Sequence, residues 1–193
     1  MKFQKRFVHL LKIKTKKIIK MKLKGEGFIL RHTKIADAKD CFECEQDEEA
    51  KRNFMSTPES INEVKKDIKK HLLNYNKKKP SGEQFIIEVN KEFAGWVTLS
   101  NLNIKHHEHQ ATIGYCLSKK FRGKGITTKA VKLVTDYAFK KYKLKRIEGW
   151  CRTFNKASAR VLEKAGYKLE GILRKNKFKD GEYLDDMVWA KVK

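Results

Sequence analysis

The 193-residue chain is predicted to be one mixed α/β domain, a mostly antiparallel sheet of about seven strands flanked by four helices. Three observations predict this. Short apolar runs alternate with segments whose apolar residues fall three, four or seven apart, the spacings of strands and helices respectively. In order, these segments give strand, two helices, three strands, helix, strand, helix and two strands. Hydrophobic residues make up 40% of the chain, enough for one core, and no apolar run nears the roughly 20 residues of a membrane span.

Residues 1–24 contain many Lys and Arg but no Asp or Glu. Phe3, Phe7, Leu10, Leu11, Ile18 and Met21 fall near helical spacing, the pattern of a basic amphipathic helix. The segment lacks the continuous apolar stretch of a secretory signal. It is set apart from a domain spanning 25–193, either as an appended arm or as an upstream misassigned start with Met21 the true first residue.

Within the domain, Phe28–His32 reads as a strand. Ala36–Phe54 reads as a helix carrying an acidic stretch, Glu43–Glu49. Thr57-Pro58-Glu59 has the form of a helix start, with a capping hydroxyl, a first-turn proline and a carboxylate at the positive dipole end. Ile61, Val64, Ile68 and Leu72 then share one helical face. Phe85–Val89 and Phe93–Leu99 flank Asn90-Lys91 as a hairpin. Asn101–Glu108 is a polar loop, Ala111–Leu117 a strand, and after Gly123–Gly125 a helix turns Ile126, Ala130, Leu133, Val134, Tyr137 and Ala138 inward. Arg146–Cys151 is a strand. Asn155 caps a short helix that ends at Gly166. Tyr167–Leu173 and Tyr183–Ala190 close the sheet around an Asp180-Gly181 turn.

The formal charge of +23 suits polyanionic partners, among them nucleic acid, ribosomes, anionic lipid and a phosphate-bearing cofactor. A lysine-rich composition spread over the whole chain explains it equally well. The cysteines, Cys41, Cys44, Cys116 and Cys151, read as reduced thiols of a cytoplasmic protein. Cys41-x-x-Cys44 is half of a zinc spacing without its second half, and packing on one helix face is the better reading. His106, His107 and His109 cluster in a loop. No metal site is expected.

The segment that carries chemistry is Ile113-Gly114-Tyr115-Cys116-Leu117 followed by Phe121-Arg122-Gly123-Lys124-Gly125-Ile126-Thr127. A strand feeds a glycine-containing loop that opens straight into a helix. Such a helix start offers unpaired N–H groups and a positive dipole end to a phosphate, glycine permits close backbone approach, and Arg122 and Lys124 add charge. The spacing is neither that of a Walker loop nor that of a dinucleotide fingerprint.

Arg122-x-x-Gly125-x-Thr127 resembles the Q/R-x-x-G-x-G/A signature of the GNAT acetyltransferases. Leu30-Arg31 with Asp37-Ala38, Asn155-x-x-Ser158, Glu163–Tyr167, Glu170-Gly171, Arg174, Asp180-Gly181 and Asp185 are similar to the Rim-type branch, the ribosomal-protein N-terminal acetyltransferases. The resemblance covers roughly residues 25–190. It implies the GNAT fold and acetyl-coenzyme A as donor, with coenzyme A as product. The pyrophosphate would lie on Arg122, Gly123, Lys124, Gly125, Ile126 and Thr127, and the pantetheine arm along Tyr115, Cys116 and Leu117, with Asn155 holding the arm or a water. A backbone N–H near Cys116–Leu117 would polarise the thioester carbonyl. Ser158 would return a proton to sulfur. Two positions depart from the pattern: Thr127 stands where glycine or alanine is usual, and Leu162 where many members carry an acidic tyrosine.

Read without the resemblance, Asn155 and Ser158 are a helix cap and a polar first turn. Cys116, mid-strand without a partner histidine, reads as packing rather than as a nucleophile. Glu88, Glu148, Glu170 and Asp185 are weak candidates for a base, and the stretch after Gly171 offers Lys175 and Lys177 instead. The acceptor implied is a primary amine, first the N-terminal α-amine of a protein or peptide, a ribosomal protein among the candidates. The alternatives are a polyamine or amino sugar drawn to Glu43–Glu49, and a non-catalytic RNA- or ribosome-binding role, with the chain a monomer or a homodimer.

Overall fold

The computed structural model describes residues 21–193, so the basic stretch expected over 1–24 lies, for residues 1–20, outside the described residues. The strands are β1 (Lys22–Gly25), β2 (Phe28–His32), β3 (Glu83–Val89), β4 (Glu92–Ser100), β5 (Gln110–Leu117), β6 (Arg146–Arg152), β7 (Lys168–Lys179) and β8 (Glu182–Val192). They form one sheet in the order β1-β2-β3-β4-β5-β6-β8-β7. Every pairing is antiparallel except β5 with β6. The fold class matches expectation, with one more strand: residues 22–24, set apart by their charge, pair with Leu30 and its neighbours as an edge hairpin. Alternating Lys and Leu gave that strand no run long enough to stand out.

The helices are α1 (Ala38–Glu45), α2 (Glu48–Asn53), α3 (Ile61–Tyr75), α4 (Ile126–Tyr142) and α5 (Lys156–Lys164). The single helix expected over Ala36–Phe54 is two. Asp47 takes extended backbone, and its carboxylate accepts the Ala50 N–H, capping a fresh helix in the manner favoured for aspartate. The next helix starts three residues later than the Thr57 signal suggested, because Ser60 is the residue whose side chain accepts the Glu63 N–H.

The sheet is covered on both faces. One layer joins Phe85, Val97, Ile113, Val134, Ile147 and Trp189 under α4 and α5. The other joins Ala38, Cys41, Cys44, Val64, Ile68, Trp96 and Cys116 under α1 and α3, which places Cys41 and Cys44 in packing. Strands β7 and β8 run longer than expected, since Asp180 and Gly181 both adopt positive φ and close a tight hairpin. One irregularity bears on function. The β3–β4 register slips so that Ile87 faces Gly95 and Glu88 faces Phe93, leaving Ala94 as the extra residue of a bulge. Gly95 has φ +154°, and a Cβ there would stand 2.2 Å from the Cys116 carbonyl oxygen. Only glycine lets β4 press this closely on the end of β5.

Candidate functional site

Strands β5 and β6 pair only from Gln110 with Arg146 to Ile113 with Gly149. Past that point Gly114–Leu117 and Trp150–Arg152 have no ladder between them, and the middle of the sheet opens. Backbone groups of β5 are thereby left facing a gap, which is what an added extended chain needs. Side chains alternate across the strands. Tyr115 and Cys151 lie with the α4–α5 layer. Cys116 lies with the α1–α3 layer, and continuing the parallel register puts Arg152 level with it on the far side of the gap.

At the end of β5 the chain turns through the expected loop. Gly123 and Gly125 have φ of +75° and +71°, and a Cβ on either would meet nothing within 4 Å. Gly125 is the N-cap of α4, so the N–H groups of Ile126, Thr127 and Thr128 have no partner within the helix. Lys124 is exposed, and its ammonium lies 5.8 Å from the Phe121 ring centroid. An open, glycine-lined helix start flanked by cations fits a pyrophosphate. Thr127 is half-buried in the first turn of α4. Arg122 is engaged: its Nε donates to the Leu117 carbonyl at 3.0 Å, and its guanidinium stands 2.9 Å from Asp47 and 2.7 Å from Glu49. Burial works against the charged form of Arg122, but these carboxylates outweigh it and hold the guanidinium charged. Nothing local in Glu43–Glu49 signals that this acidic stretch folds back onto the Arg122–Thr127 loop.

On the α5 side, Asn155 accepts the Ser158 N–H at 2.9 Å, so the cap reading of that residue is realised. Ser158 reaches across the gap. Its Oγ is 2.8 Å from the Tyr115 hydroxyl, and the same hydroxyl donates to the Ser158 carbonyl at 3.2 Å. Burial pushes the Tyr115 phenol well above its ordinary range, so it stays neutral and available as a hydrogen-bond donor. Leu162 is fully buried, and its methyl groups fill the space where Gly149 lacks a side chain. Leu162 carries no phenol, and the phenol beside Ser158 is that of Tyr115 on the opposite strand, a contact invisible in sequence because 43 residues separate the two.

The four carboxylates considered as bases are otherwise occupied. Glu88 binds Arg31, Glu148 and Glu170 bind Arg146, and Asp185 accepts the Lys175 N–H at 2.7 Å. Lys175 and Lys177 are exposed on β7. A carboxylate that the sequence did not single out, Glu45 at the end of α1, is half-buried and accepts the Trp96 indole N–H at 3.0 Å. Trp96 in turn stacks on Phe54, whose carbonyl accepts from Lys179 at 2.7 Å, so the β7–β8 hairpin is tied to the end of α2 over this face. Cys44 and Cys116 bring their sulfurs to 3.2 Å in the same layer.

Comparison with known proteins completes the assignment. An acetyltransferase (GNAT) domain model matches residues 28–168. The chain belongs to the GNAT acetyltransferase family. GNAT enzymes draw their acetyl group from acetyl-coenzyme A, and this chain is an N-acetyltransferase of that type. It is 34% identical to the probable N-acetyltransferase YjcK of Bacillus subtilis over 179 residues, 87% of this chain and 95% of the relative. It is 31% identical to the spermidine N(1)-acetyltransferase of Escherichia coli K12 over 103 residues, 53% of this chain and 54% of the relative. Among solved GNAT structures, RimL, the ribosomal L7/L12 α-N-protein acetyltransferase in complex with coenzyme A, superimposes with a TM-score of 0.79 at 19% identity, over 89% of this chain and 98% of that one. That likeness is one of fold. Among the described residues, no helix of this GNAT chain is long and apolar enough to cross a membrane.

Proposed function

We propose that the chain acetylates the N-terminal α-amine of a protein or peptide, by direct attack of the amine on the thioester with both substrates bound. The observation that carries this choice of acceptor is the fate of Glu43–Glu49. A polyamine needs several unpaired carboxylates, but Asp47 and Glu49 are held by Arg122, Glu48 lies near Lys51 and Glu43 near Lys39, which leaves Glu45, bonded to the Trp96 indole, as the one carboxylate of the stretch without a cation among the described residues. The lip of the gap is instead cationic and aromatic: the Arg52 guanidinium sits 4.4 Å over the Phe154 ring, and Lys179 binds the carbonyls of Lys51 and Phe54. A dication is repelled there, while a peptide backbone finds donors and apolar contact. The charge of +23 suits a ribosomal setting for such a substrate.

In this reading Arg122–Thr127 hold the pyrophosphate. The backbone N–H groups near Cys116–Leu117 polarise the thioester carbonyl, and Asn155 sets the first turn of α5 so that Ser158 protonates the departing sulfur. Most of the rate comes from positioning. The similarity to the spermidine N(1)-acetyltransferase supports a second reading, a small-amine acceptor. Initial rates of acetyl-coenzyme A consumption separate them: peptides with free Ser, Ala or Met N-termini should turn over at least tenfold faster in kcat/KM than spermidine, and the reverse order overturns the proposal.

A further inference from the structure

We propose that Glu45 is the base that accepts the proton of the acceptor amine. The inference rests on the acetyltransferase reading and supplies the group that reading lacks. Each carboxylate suggested by sequence is locked to a cation or a backbone N–H. Glu45 has one hydrogen-bond partner among the described residues, the Trp96 indole, which leaves its second oxygen open. It also stands on the right face. Trp96 pairs with Cys116 across β4 and β5, both side chains lie in the α1–α3 layer, and Cys116 borders the gap. The Phe54–Lys179 link ties the hairpin over that layer, and on this proposal the amine enters between hairpin and helices to reach the Trp96–Glu45 pair beside the end of β5. Contact directly or through one water is what a base requires.

The surroundings tune the group. Burial is the main influence and brings Glu45 up to about 7, opposed by the Trp96 hydrogen bond and assisted by the charge of Asp67 on α3. The other titratable groups facing it are thiols, Cys41 and Cys44 on its own helix and Cys116 on β5, all of which feel its negative charge. At neutral pH such a carboxyl is partly ionised and accepts a proton from an α-amine of pKa roughly 7.7–8.0 far more readily than from a lysine-like amine near about 10.4. The proposed base thus agrees with the proposed acceptor.

The step balances. The ammonium form of the acceptor gives one proton to the Glu45 carboxylate. The freed nitrogen lone pair forms the C–N bond to the acetyl carbon, and the C–S bond breaks. The surplus proton on the nitrogen of the tetrahedral adduct passes to water, the departing thiolate takes the Ser158 hydroxyl proton and Ser158 regains one from water, giving amide and free thiol, while Glu45 releases its proton to water.

The test is the pH dependence of kcat/KM from pH 5.5 to 9 for the wild type and Glu45→Gln, with a peptide and spermidine assayed in parallel, alongside calorimetric binding of coenzyme A. Expected are a rising limb with an inflection near 7 in the wild type, a loss of at least fiftyfold at pH 7 in Glu45→Gln with that inflection gone and only the acceptor amine's own, at roughly 7.7–8.0 for the peptide, remaining, and unchanged coenzyme A affinity. A variant within threefold of wild type, or one that keeps the inflection, overturns the proposal. Should spermidine turn over and the peptide not, the acceptor reading fails, and Glu45 is still judged on the spermidine profile. Carbon-13 NMR titration of the Glu45 carboxyl in the free protein, assigned by its loss in Glu45→Gln, needs no acceptor. A midpoint at the ordinary 4.5 overturns the proposal there as well.

Discussion

The Tyr115 phenol and the Ser158 hydroxyl meet across the opening between β5 and β6, 2.8 Å apart. One lies on a strand, the other in the first turn of α5, and the contact fixes which way the serine points. If Ser158 supplies the proton to sulfur, Tyr115→Phe should lower kcat about tenfold while KM for acetyl-coenzyme A moves less than about twofold, and Ser158→Ala should cost about a hundredfold. The two should not add, because the tyrosine acts through the serine. Steady-state kinetics of the double variant decide it: a loss equal to the product of the single losses means that the hydroxyls act independently.

If Arg122 helps to hold the pyrophosphate, as proposed, its bridges to Asp47 and Glu49 put two carboxylates where that anion would need the guanidinium. Partly exposed pairs are each worth roughly 0.2–1 kcal/mol. Freeing the arginine by Asp47→Asn with Glu49→Gln should therefore tighten coenzyme A binding by about two- to thirtyfold at low salt and by less at high salt. Asparagine keeps the cap on α2. Calorimetry at two ionic strengths tests this, and weaker binding would mean that the carboxylates hold Arg122 ready rather than compete for it.

What the sequence conveyed was local. The strand–loop–helix from Ile113 to Thr127 carries its own conformational requirements: glycine at positive φ at 123 and 125 and a helix start directly after. The caps at Asn155 and Gly166 are legible for the same reason. Non-local juxtapositions were not legible. Nothing in Glu43–Glu49 distinguishes Glu45, which turns toward Trp96, from Asp47 and Glu49, which turn toward Arg122, until the break at Asp47 reorients the chain. Tyr115 stood in the sequence as one more residue of a cofactor-lining strand, and its hydroxyl acquired a partner only when β6 diverged and α5 packed behind it. Alternating Lys and Leu at 22–24 looked like part of a basic arm, since an edge strand needs only one apolar side chain facing inward.

Glu45 should cost the protein stability. Its carboxyl titrates near 7 when folded against an ordinary 4.5, so between those values the folded chain holds more protons than the unfolded one and stability falls as pH rises. At about 1.36 kcal/mol per pH unit the ceiling is about 3 kcal/mol, and partial exposure reduces it to roughly 1–2. Glu45→Gln should therefore unfold at higher temperature than wild type at pH 8 and lose that advantage near pH 4.5. Thermal denaturation at the two pH values checks it. A variant less stable at pH 8 would mean that the Trp96 hydrogen bond outweighs the burial of charge.

Glu83 presents the opposite sign. It is 1% exposed at the start of β3, where Lys141 approaches at 2.7 Å, the Tyr137 hydroxyl donates at 2.8 Å and the His32 ring nitrogen lies 3.6 Å away. Burial alone would raise its pKa, but His32, Lys141 and Tyr137 together outweigh burial and hold it down at about 2. The depressed value means that Glu83 stabilises the fold fully above its ordinary 4.5 and progressively less as pH falls toward 2. Lys141 is 38% exposed, so the contribution is discounted to roughly 1–2 kcal/mol. Glu83→Gln should lower the urea midpoint at pH 7, and the gap from wild type should narrow between pH 4.5 and 3. Far from the gap between β5 and β6, this change should leave coenzyme A affinity as it was. A gap that stays constant with pH would mean that the glutamate acts by shape and neutral hydrogen bonds rather than by charge.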